Sequence, residues 1–499
     1  MGFPFEHGFH ATLMAMGLCD LLDLDNETAS RTYYTTLLSY SGCTTDAADA
    51  VQVFAGEMTS NFIQYVHGSR TELAKGILAA LPPAESTGIA RVREIARRLP
   101  RAARGNKPHQ RAMCEVGEML ARRLGLPESI NVVFRLLNER WDGKGDLKRA
   151  KGEEIPLPLR IALVAHDAAF QRLVGGEEHA VSVIKARGGA AFDPNITEMF
   201  GRHSADLFAA ADAGEGAWDQ VLQLEPAPHL TLDDDAIDRA LAAIGDFSDL
   251  ISPSFAGHSS GLAKLATEAA QLSRFSEEEV TLIRRAAWVH DVGRVAIDTR
   301  IWEKPTSLTP DEVEQVRLHP YHTERILIRS DLLGTLAPVA SNHHEHLDGS
   351  GYHRGAVASM LTRPARLLAV ADIYHAMTEP RPHRRPLPSA TAASLLEEQV
   401  REGHLDPQMV AAVLRSTGQE TPPMGNPKGL TNREVEVLGL LARGLQTKQM
   451  ATALGISAKT ADTHIQNSYR KIGVSTRAAA TLFAMETGLV PSGELPIAD

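Results

Sequence analysis

Ten consecutive residues, His343-His344-Glu345-His346-Leu347-Asp348-Gly349-Ser350-Gly351-Tyr352, set the strongest constraint on how this chain can fold. They lie downstream of a His290-Asp291 pair and upstream of Ala371-Asp372, in segments whose apolar residues recur at helical spacing. Imidazoles and carboxylates this dense form a metal-ligand pattern. Ligands spread from His258 to Asp372 can meet only if several helices aim them inward at one point. Alanine and leucine are abundant and Val/Ile/Thr alternation is scarce, so the expected fold class is all-α. The length of 499 residues, 43% of them apolar and 23% charged, implies roughly two to four globular domains.

Cys19, Cys43 and Cys114 form no C-x-x-C pair, which argues against a disulfide framework or a thiolate zinc site and fits a reducing compartment. No apolar run approaches the roughly 18 residues of a membrane span. The start, Met1-Gly2-Phe3-Pro4-Phe5-Glu6-His7, lacks a basic and apolar leader. A cytoplasmic protein without membrane contact is expected. The net charge of −11 is unevenly spread: residues 428–490 carry eight Lys or Arg against four acids, a balance of +4 that leaves −15 elsewhere. Only this C-terminal segment has the sign for binding a polyanion.

Two long segments read as copies of one another. His7 precedes Ser39-Tyr40 by 32 positions, as His258 precedes His290-Asp291, and Gly42 matches Gly293. Glu139-Arg140-Trp141-Asp142-Gly143-Lys144-Gly145 mirrors Glu345 to Gly351, Arg160 to Asp167 mirrors Arg366 to Asp372, and Phe192-Asp193-Pro194 mirrors Leu405-Asp406-Pro407. The first copy has Ser39-Tyr40 and Leu137-Asn138 where the second has its paired ligands, and keeps His7 and Asp167. That is too few donors for a metal. An insertion near 44–110 is arginine-rich between Arg91 and Arg111, read as a solvated helix or an anion-binding surface. The expected boundaries are a degenerate repeat over 1–212, a connector over 213–250, a metal-binding domain over 251–415, a linker over 416–427 and a final domain over 428–490.

His258 opens one amphipathic helix, and a second ends at His290-Asp291 with Gly293 as a left-handed terminator. His319 leads a third, and Asp372 sits in a fourth. A carboxylate after a histidine can bridge two cations, with imidazoles favouring Fe, Mn or Zn over Mg. Over about 258–415 these motifs resemble the HD-domain phosphohydrolases of the HD-GYP subclass. The resemblance places metal ligands at His258, His290, Asp291, His319, His343, His344 and Asp372. It implies two divalent transition metals, iron or manganese ahead of zinc, and hydrolysis of cyclic di-GMP. By the same resemblance Tyr352 would stack on guanine, and Arg381 and Arg384 would hold phosphate. The chain departs from the family at Gly351-Tyr352-His353, where the third residue is usually proline. It departs again at Arg294, which stands for a lysine and can bind phosphate but poorly protonate a leaving group. Ser254 stands where trinuclear members carry glutamate, and Thr323 where a glycine is usual. Asp291 and Arg294 are the candidate catalytic residues.

In the last domain Thr431-x-x-Glu434 is a capping box. Thr447 caps a short second helix, Gly455-Ile456 makes a turn, and Ser457 caps a third helix closed by Gly473. Lys459, Thr463, Gln466 and Arg470 share one polar face there. A fourth helix runs from Arg477 to Glu486. Leu430-Thr431-x-Arg433-Glu434, Ile456-Ser457-x-Lys459-Thr460 and Lys471-Ile472-Gly473-Val474-Ser475-x-Arg477 resemble the LuxR-type helix-turn-helix. The resemblance puts base-edge contacts at Asp462, Thr463 and Gln466, phosphate contacts at Lys459, Thr460 and Lys471, and a homodimer on double-stranded DNA. The sequence thus points to a transcriptional regulator that senses or hydrolyses a nucleotide second messenger. A phosphodiesterase merely located on DNA and a catalytically silent ligand sensor are the alternatives.

Overall fold

A computed structural model describes residues 6–39, 41, 54, 63–83, 85–145, 147–212, 216–273, 275–380, 385–417, 427–487 and 489. Among these residues there is no strand, only two isolated bridges. The chain forms two compact units, Met1–Leu232 and Asp233–Asp499. The principal helices of the first are α1 (His7–Leu21), α2 (Asn26–Leu38), α3 (Gly88–Arg123), α4 (Leu157–Arg187) and α5 (Pro194–Asp212). Those of the second are α6 (Asp234–Asp249), α7 (His258–Gln271), α8 (Glu277–Val289), α9 (Pro310–Arg317), α10 (His319–Leu327), α11 (Arg363–Thr378), α12 (Ser389–Arg401) and α13 (Pro407–Ser416). They are followed by α14 (Asn432–Ala442), α15 (Thr447–Ala453), α16 (Ala458–Ile472) and α17 (Arg477–Glu486).

In the first unit α1 packs on α2, α4 and α5, enclosing Met14, Leu18, Leu159, Ile161 and Phe200. In the second, α7 packs on α8, α11 and α13 around Leu262, Ile283, Leu367 and Val413. Each such side chain stabilises its unit by roughly 1.5–3 kcal/mol relative to exposure. Helix α6, within the stretch read as a connector, is packed on α7 and α8. The insertion contributes α3, where Arg97 and Arg98 share Glu94 at 2.7 and 3.0 Å on the surface.

The segments read as copies make matching contacts inside each unit. Arg160 pairs with Asp193 at 2.7 Å, just before the proline that starts α5; Arg366 pairs with Asp406 at 3.1 Å, just before the proline that starts α13. Buried Glu139 accepts from the Arg149 amide at 2.8 Å, and buried Glu345 accepts from the Arg354 amide at 2.7 Å. This register corrects one expectation. Arg160 answers to Arg366, so the position of Asp372 is held in the first copy by His166, and Asp167 is one residue further on. His166 donates from Nε2 to the Thr36 carbonyl at 2.8 Å and lies against His7, ring centroids 6.1 Å apart. Asp167 instead forms a buried ion pair with Arg187. Tyr40 and Gly42 lie outside the described residues.

The final domain begins with the expected capping box, Thr431 bonding the Glu434 amide and Glu434 the Thr431 amide. The second helix is capped differently from expectation: Gln446, not Thr447, is the N-cap, in a reciprocal box with Gln449. Ser457 caps α16, and Gly473 closes it in the left-handed conformation at φ 82°. Helix α17 packs on α14 and on α6, with Ala479, Leu482 and Ala484 no more than 1% exposed. This last helix therefore has its apolar side covered within the chain.

Burial pushes His7 down to about 4 and His166 down to about 3 from 6.5, so both are neutral in the fold at pH 7. The unfolded chain binds more protons than the folded one below about pH 6.5. Stability should fall as pH drops from there toward 4, by at most about 1.4 kcal/mol per pH unit per histidine. Urea midpoints of the full chain across this window should show the loss, and His166→Gln should show a smaller one.

Candidate metal centre and DNA-binding surface

Helix ends aim the imidazoles. The last carbonyls of a helix have no partner within it and accept from whatever follows. Nδ1 of His290, at the end of α8, lies 2.8 Å from the Ala287 carbonyl. Nδ1 of His319, where α9 gives way to α10, lies 2.6 Å from Val316 O, and Nδ1 of His343 lies 2.6 Å from Ala340 O at the end of a short helical turn. A carbonyl only accepts, so in all three the proton sits on Nδ1 and Nε2 presents its lone pair inward. His258 opens α7 behind left-handed Gly257, and its Nδ1 lies 2.8 Å from Glu379 Oε2. The first turn of α7 is tied back to α6, the Ser259 amide and hydroxyl bonding the buried Asp249 carboxylate at 2.8 and 2.9 Å.

The four Nε2 atoms converge on Asp291. Its Oδ2 is 3.4 Å from His258 and 2.8 Å from His290, and its Oδ1 is 3.2 Å from His319 and 3.5 Å from His343. Asp372 spans the same gap, Oδ1 at 3.3 Å from His258 Nε2 and Oδ2 at 3.9 Å from His344 Nδ1. The donors fall into two groups, His258–His290–Asp372 and His319–His343–His344, with Asp291 between them. His258 Nε2, His290 Nε2, both Asp291 oxygens and Asp372 Oδ1 are buried without a hydrogen bond in the structure. Buried lone pairs and carboxylate charge left in that state cost several kcal/mol unless cations sit among them. The residues present fit a pair of metal ions. Burial holds His290 down at about 4, and it also pushes His344 well below its ordinary value. Burial opposes protonation of His258 too, but Glu379, Asp291 and Asp372 together raise it.

All seven sequence-predicted ligands are thus brought together. Arg294 is 6% exposed and forms an ion pair with Asp291, with its guanidinium 4.0 Å from the Phe255 ring centroid. Its Nε and Nη1 have no hydrogen-bond partner in the structure. Tyr352 stacks on His344, centroids 4.7 Å apart, with the Arg317 guanidinium 5.6 Å from its ring. Arg381 and Arg384 lie outside the described residues. Gly293 does not adopt the left-handed conformation expected of it. It is needed because a Cβ there would meet His319 O at 2.1 Å. Thr323, a departure in sequence, takes part in this approach: Oγ1 accepts from the Gly293 amide at 3.0 Å and donates to His290 O at 2.8 Å. Gly351 is equally constrained, with His344 O, Glu345 Cα and His346 N all 2.5 Å from a Cβ.

On the final domain, Lys459, Thr460, Asp462, Thr463 and Gln466 are exposed along α16, while Ala461 and Ile465 face inward. Thr460 Oγ1 contacts the cap hydroxyl of Ser457 at 2.7 Å, and Thr463 Oγ1 bonds back to Lys459 O at 2.9 Å. Lys471, expected to grip phosphate, turns its Nζ to Glu434 at 2.6 Å and to Gly429 O at 3.0 Å.

Residues 247–409 match the HD domain family, and residues 428–484 match the bacterial regulatory proteins of the luxR family. A 3'3'-cGAMP-specific phosphodiesterase 3 of Vibrio cholerae is 30% identical over 421 residues, covering 83% of this chain and 91% of that protein. The chain belongs to the HD-GYP-like family of HD-domain phosphodiesterases. A crystal structure of a cyclic GMP-AMP specific phosphodiesterase from the same organism aligns over 84% of this chain and 94% of its own, at a TM-score of 0.56 and 27% identity. A cyclic di-GMP phosphodiesterase response regulator of Xanthomonas campestris is 36% identical over 182 residues, 36% of this chain and 47% of that protein. This HD-GYP-like chain ends in a LuxR-type helix-turn-helix DNA-binding domain. Among the described residues no helix is long and apolar enough to cross a membrane.

The sequence reading of this HD-GYP-like protein missed Glu379. Its carboxylate joins His258 to His375, Oε1 lying 3.0 Å from His375 Nε2, and the His375 ring stacks on His258. The only signal was spacing, since Asp372, His375 and Glu379 fall on one face of α11 and its end. A carboxylate behind a ligating imidazole fixes its tautomer and raises its basicity. Glu379→Gln should leave the helical circular dichroism unchanged and weaken metal uptake about 10–100-fold in a chelator-competition titration.

Proposed function

We propose that this protein is a DNA-binding transcriptional regulator whose second unit holds two divalent transition metals and hydrolyses a cyclic dinucleotide. The observation that carries this is Asp291, whose two oxygens face separate imidazole sets. One cation would be held by His258, His290 and Asp372, the other by His319, His343 and His344, with Asp291 shared. Imidazole-rich sets of this kind suit iron or manganese, with zinc behind them. When bound, such a pair supplies Lewis-acid activation of water and of a phosphoryl oxygen for in-line displacement. The chain's own part is positional. Arg294 offers Nε and Nη1 to a phosphodiester oxygen as a permanent cation, and Tyr352 above His344 bounds the place for a purine. The extensive match to a 3'3'-cGAMP-specific enzyme favours a mixed GMP-AMP ring as the first substrate to test, with cyclic di-GMP second.

A second reading, a ligand sensor with slow or no turnover, is favoured by Arg294 itself, which pairs with Asp291 and releases no proton at working pH. Metal analysis of protein purified without chelators, followed at once by chromatography of the dinucleotide products, separates the two. Asp291→Ala should lose two equivalents of metal relative to wild type and all hydrolysis together, while binding DNA unchanged. Retention of both equivalents would remove the bridging assignment. Wild-type protein that carries the metals and releases no product would leave the sensor reading.

The recognition surface of α16 supports operator binding as a pair of copies on an inverted repeat. Pairing through α17 requires that helix to exchange its contact with α6 for a second copy. Lys459→Ala should weaken binding to all sequences alike, whereas Gln466→Ala should cost about 1–3 kcal/mol at one base pair. Footprinting of the full chain on wild-type and single-substituted sites would show the difference. Equal losses at every position for Gln466→Ala would move base reading elsewhere.

A further inference from the structure

A second cluster of ligating side chains lies outside the centre formed by the seven ligands. His346, Asp348 and His404 each place a donor atom within 4.8 Å of the others, on the surface. The segment carrying His346 and Asp348 is tied to the turn before α13, the Leu347 amide donating to His404 O at 2.8 Å. The two rings are nearly parallel, at 17°, with centroids 4.9 Å apart.

Hydrogen bonds around the cluster fix which atoms are offered. The Ser350 hydroxyl donates to Asp348 Oδ1 at 2.7 Å, so its oxygen accepts from His346 Nδ1 at 2.9 Å. The His346 proton is therefore on Nδ1, and Nε2 carries the lone pair. Oδ1 of Asp348 also takes the Ser350 amide at 3.0 Å, which leaves Oδ2 for His404 Nε2, 3.4 Å away. His404 Nδ1 in turn faces Glu402 Oε2 at 3.4 Å. Each imidazole thus has a polar partner behind it, the arrangement that orients zinc-bound histidines. Bonds of about 2.0–2.1 Å at tetrahedral angles separate donors by about 3.3 Å, close to the Asp348–His404 spacing.

We infer that His346, Asp348 and His404 form a solvent-facing zinc site, with water in the fourth position. Its ligands come from two segments, so a bound ion staples the loop that leads to Tyr352 onto the turn before α13. The site is separate from the buried centre and draws on none of its ligands.

Metal-stripped full-length protein, titrated with zinc against a chromogenic chelator, tests this. Wild type should take up one equivalent more than His404→Ala, and the same equivalent should be missing from His346→Gln. Asp291→Ala should keep it. Cobalt loaded into Asp291→Ala should give the intense visible band of a four-coordinate ion, absent once His404→Ala is added. Equal zinc uptake by wild type and by either single variant, with unchanged circular dichroism, would overturn the assignment. Should His404→Ala fail to fold, His346→Gln decides alone, since its ring lies at the surface.

Discussion

Asp291 is a fully buried carboxylate with neither oxygen hydrogen-bonded, and the second unit is organised around it. Such a charge is tolerable in a protein interior only where positive charge answers it. Arg294 supplies part of that answer, and the two imidazole sets lie on either side of the carboxylate as a metal site requires. The helix ends serve the same purpose. Freed terminal carbonyls hold the Nδ1 protons of His290, His319 and His343, so three lone pairs point inward before any ligand arrives. Gly293 lets α10 approach closely enough for His319 to join them.

The first unit shows what the same frame does without that demand. A salt bridge and a backbone brace like those of the second unit are present at Arg160–Asp193 and Glu139, where the paired histidines have no counterpart in the sequence. His166 stands where Asp372 would be, and Asp167 is neutralised by the Arg187 guanidinium. Buried imidazoles, held neutral by burial, and an internal ion pair occupy the corresponding place. Stability there comes from apolar packing, with His7 and His166 held neutral by burial.

Much of this was legible in the sequence. Helical period and alanine content pointed to the all-α class, and the family resemblance carried by the histidine and carboxylate motifs pointed to the seven residues that the fold brings together. What was not legible depends on tertiary register. The slip between Asp167 and His166 is one of counting: eight residues run from Arg160 to Asp167 but seven from Arg366 to Asp372, and the matching Arg160–Asp193 and Arg366–Asp406 contacts fix the two arginines as the anchor. Gly293 reads as a terminator because glycine commonly is one, whereas its role here is set by the His319 carbonyl, 26 positions away in another helix. Gln446 is an uncommon cap, so Thr447 was the better guess from preference alone. Glu379 shares a helix face with Asp372 and His375, but that spacing alone does not mark it as the partner of His258.

The turn of Lys471 toward Glu434 changes the ionic bookkeeping of the DNA reader. Its ammonium pairs with a carboxylate of its own domain, held beside the cap of α14. A phosphate reaching for Lys471 must compete with that internal anion, and displacing it would expose a buried acid and loosen the first turn of α14. The cation that stays at home releases no condensed counterion from the duplex. Each copy should therefore titrate with salt as though it had one positive charge fewer than its composition suggests, a difference of about 0.9 in the slope of log affinity against log salt. Affinity for DNA thus leans less on ionic strength and more on the exposed face of α16.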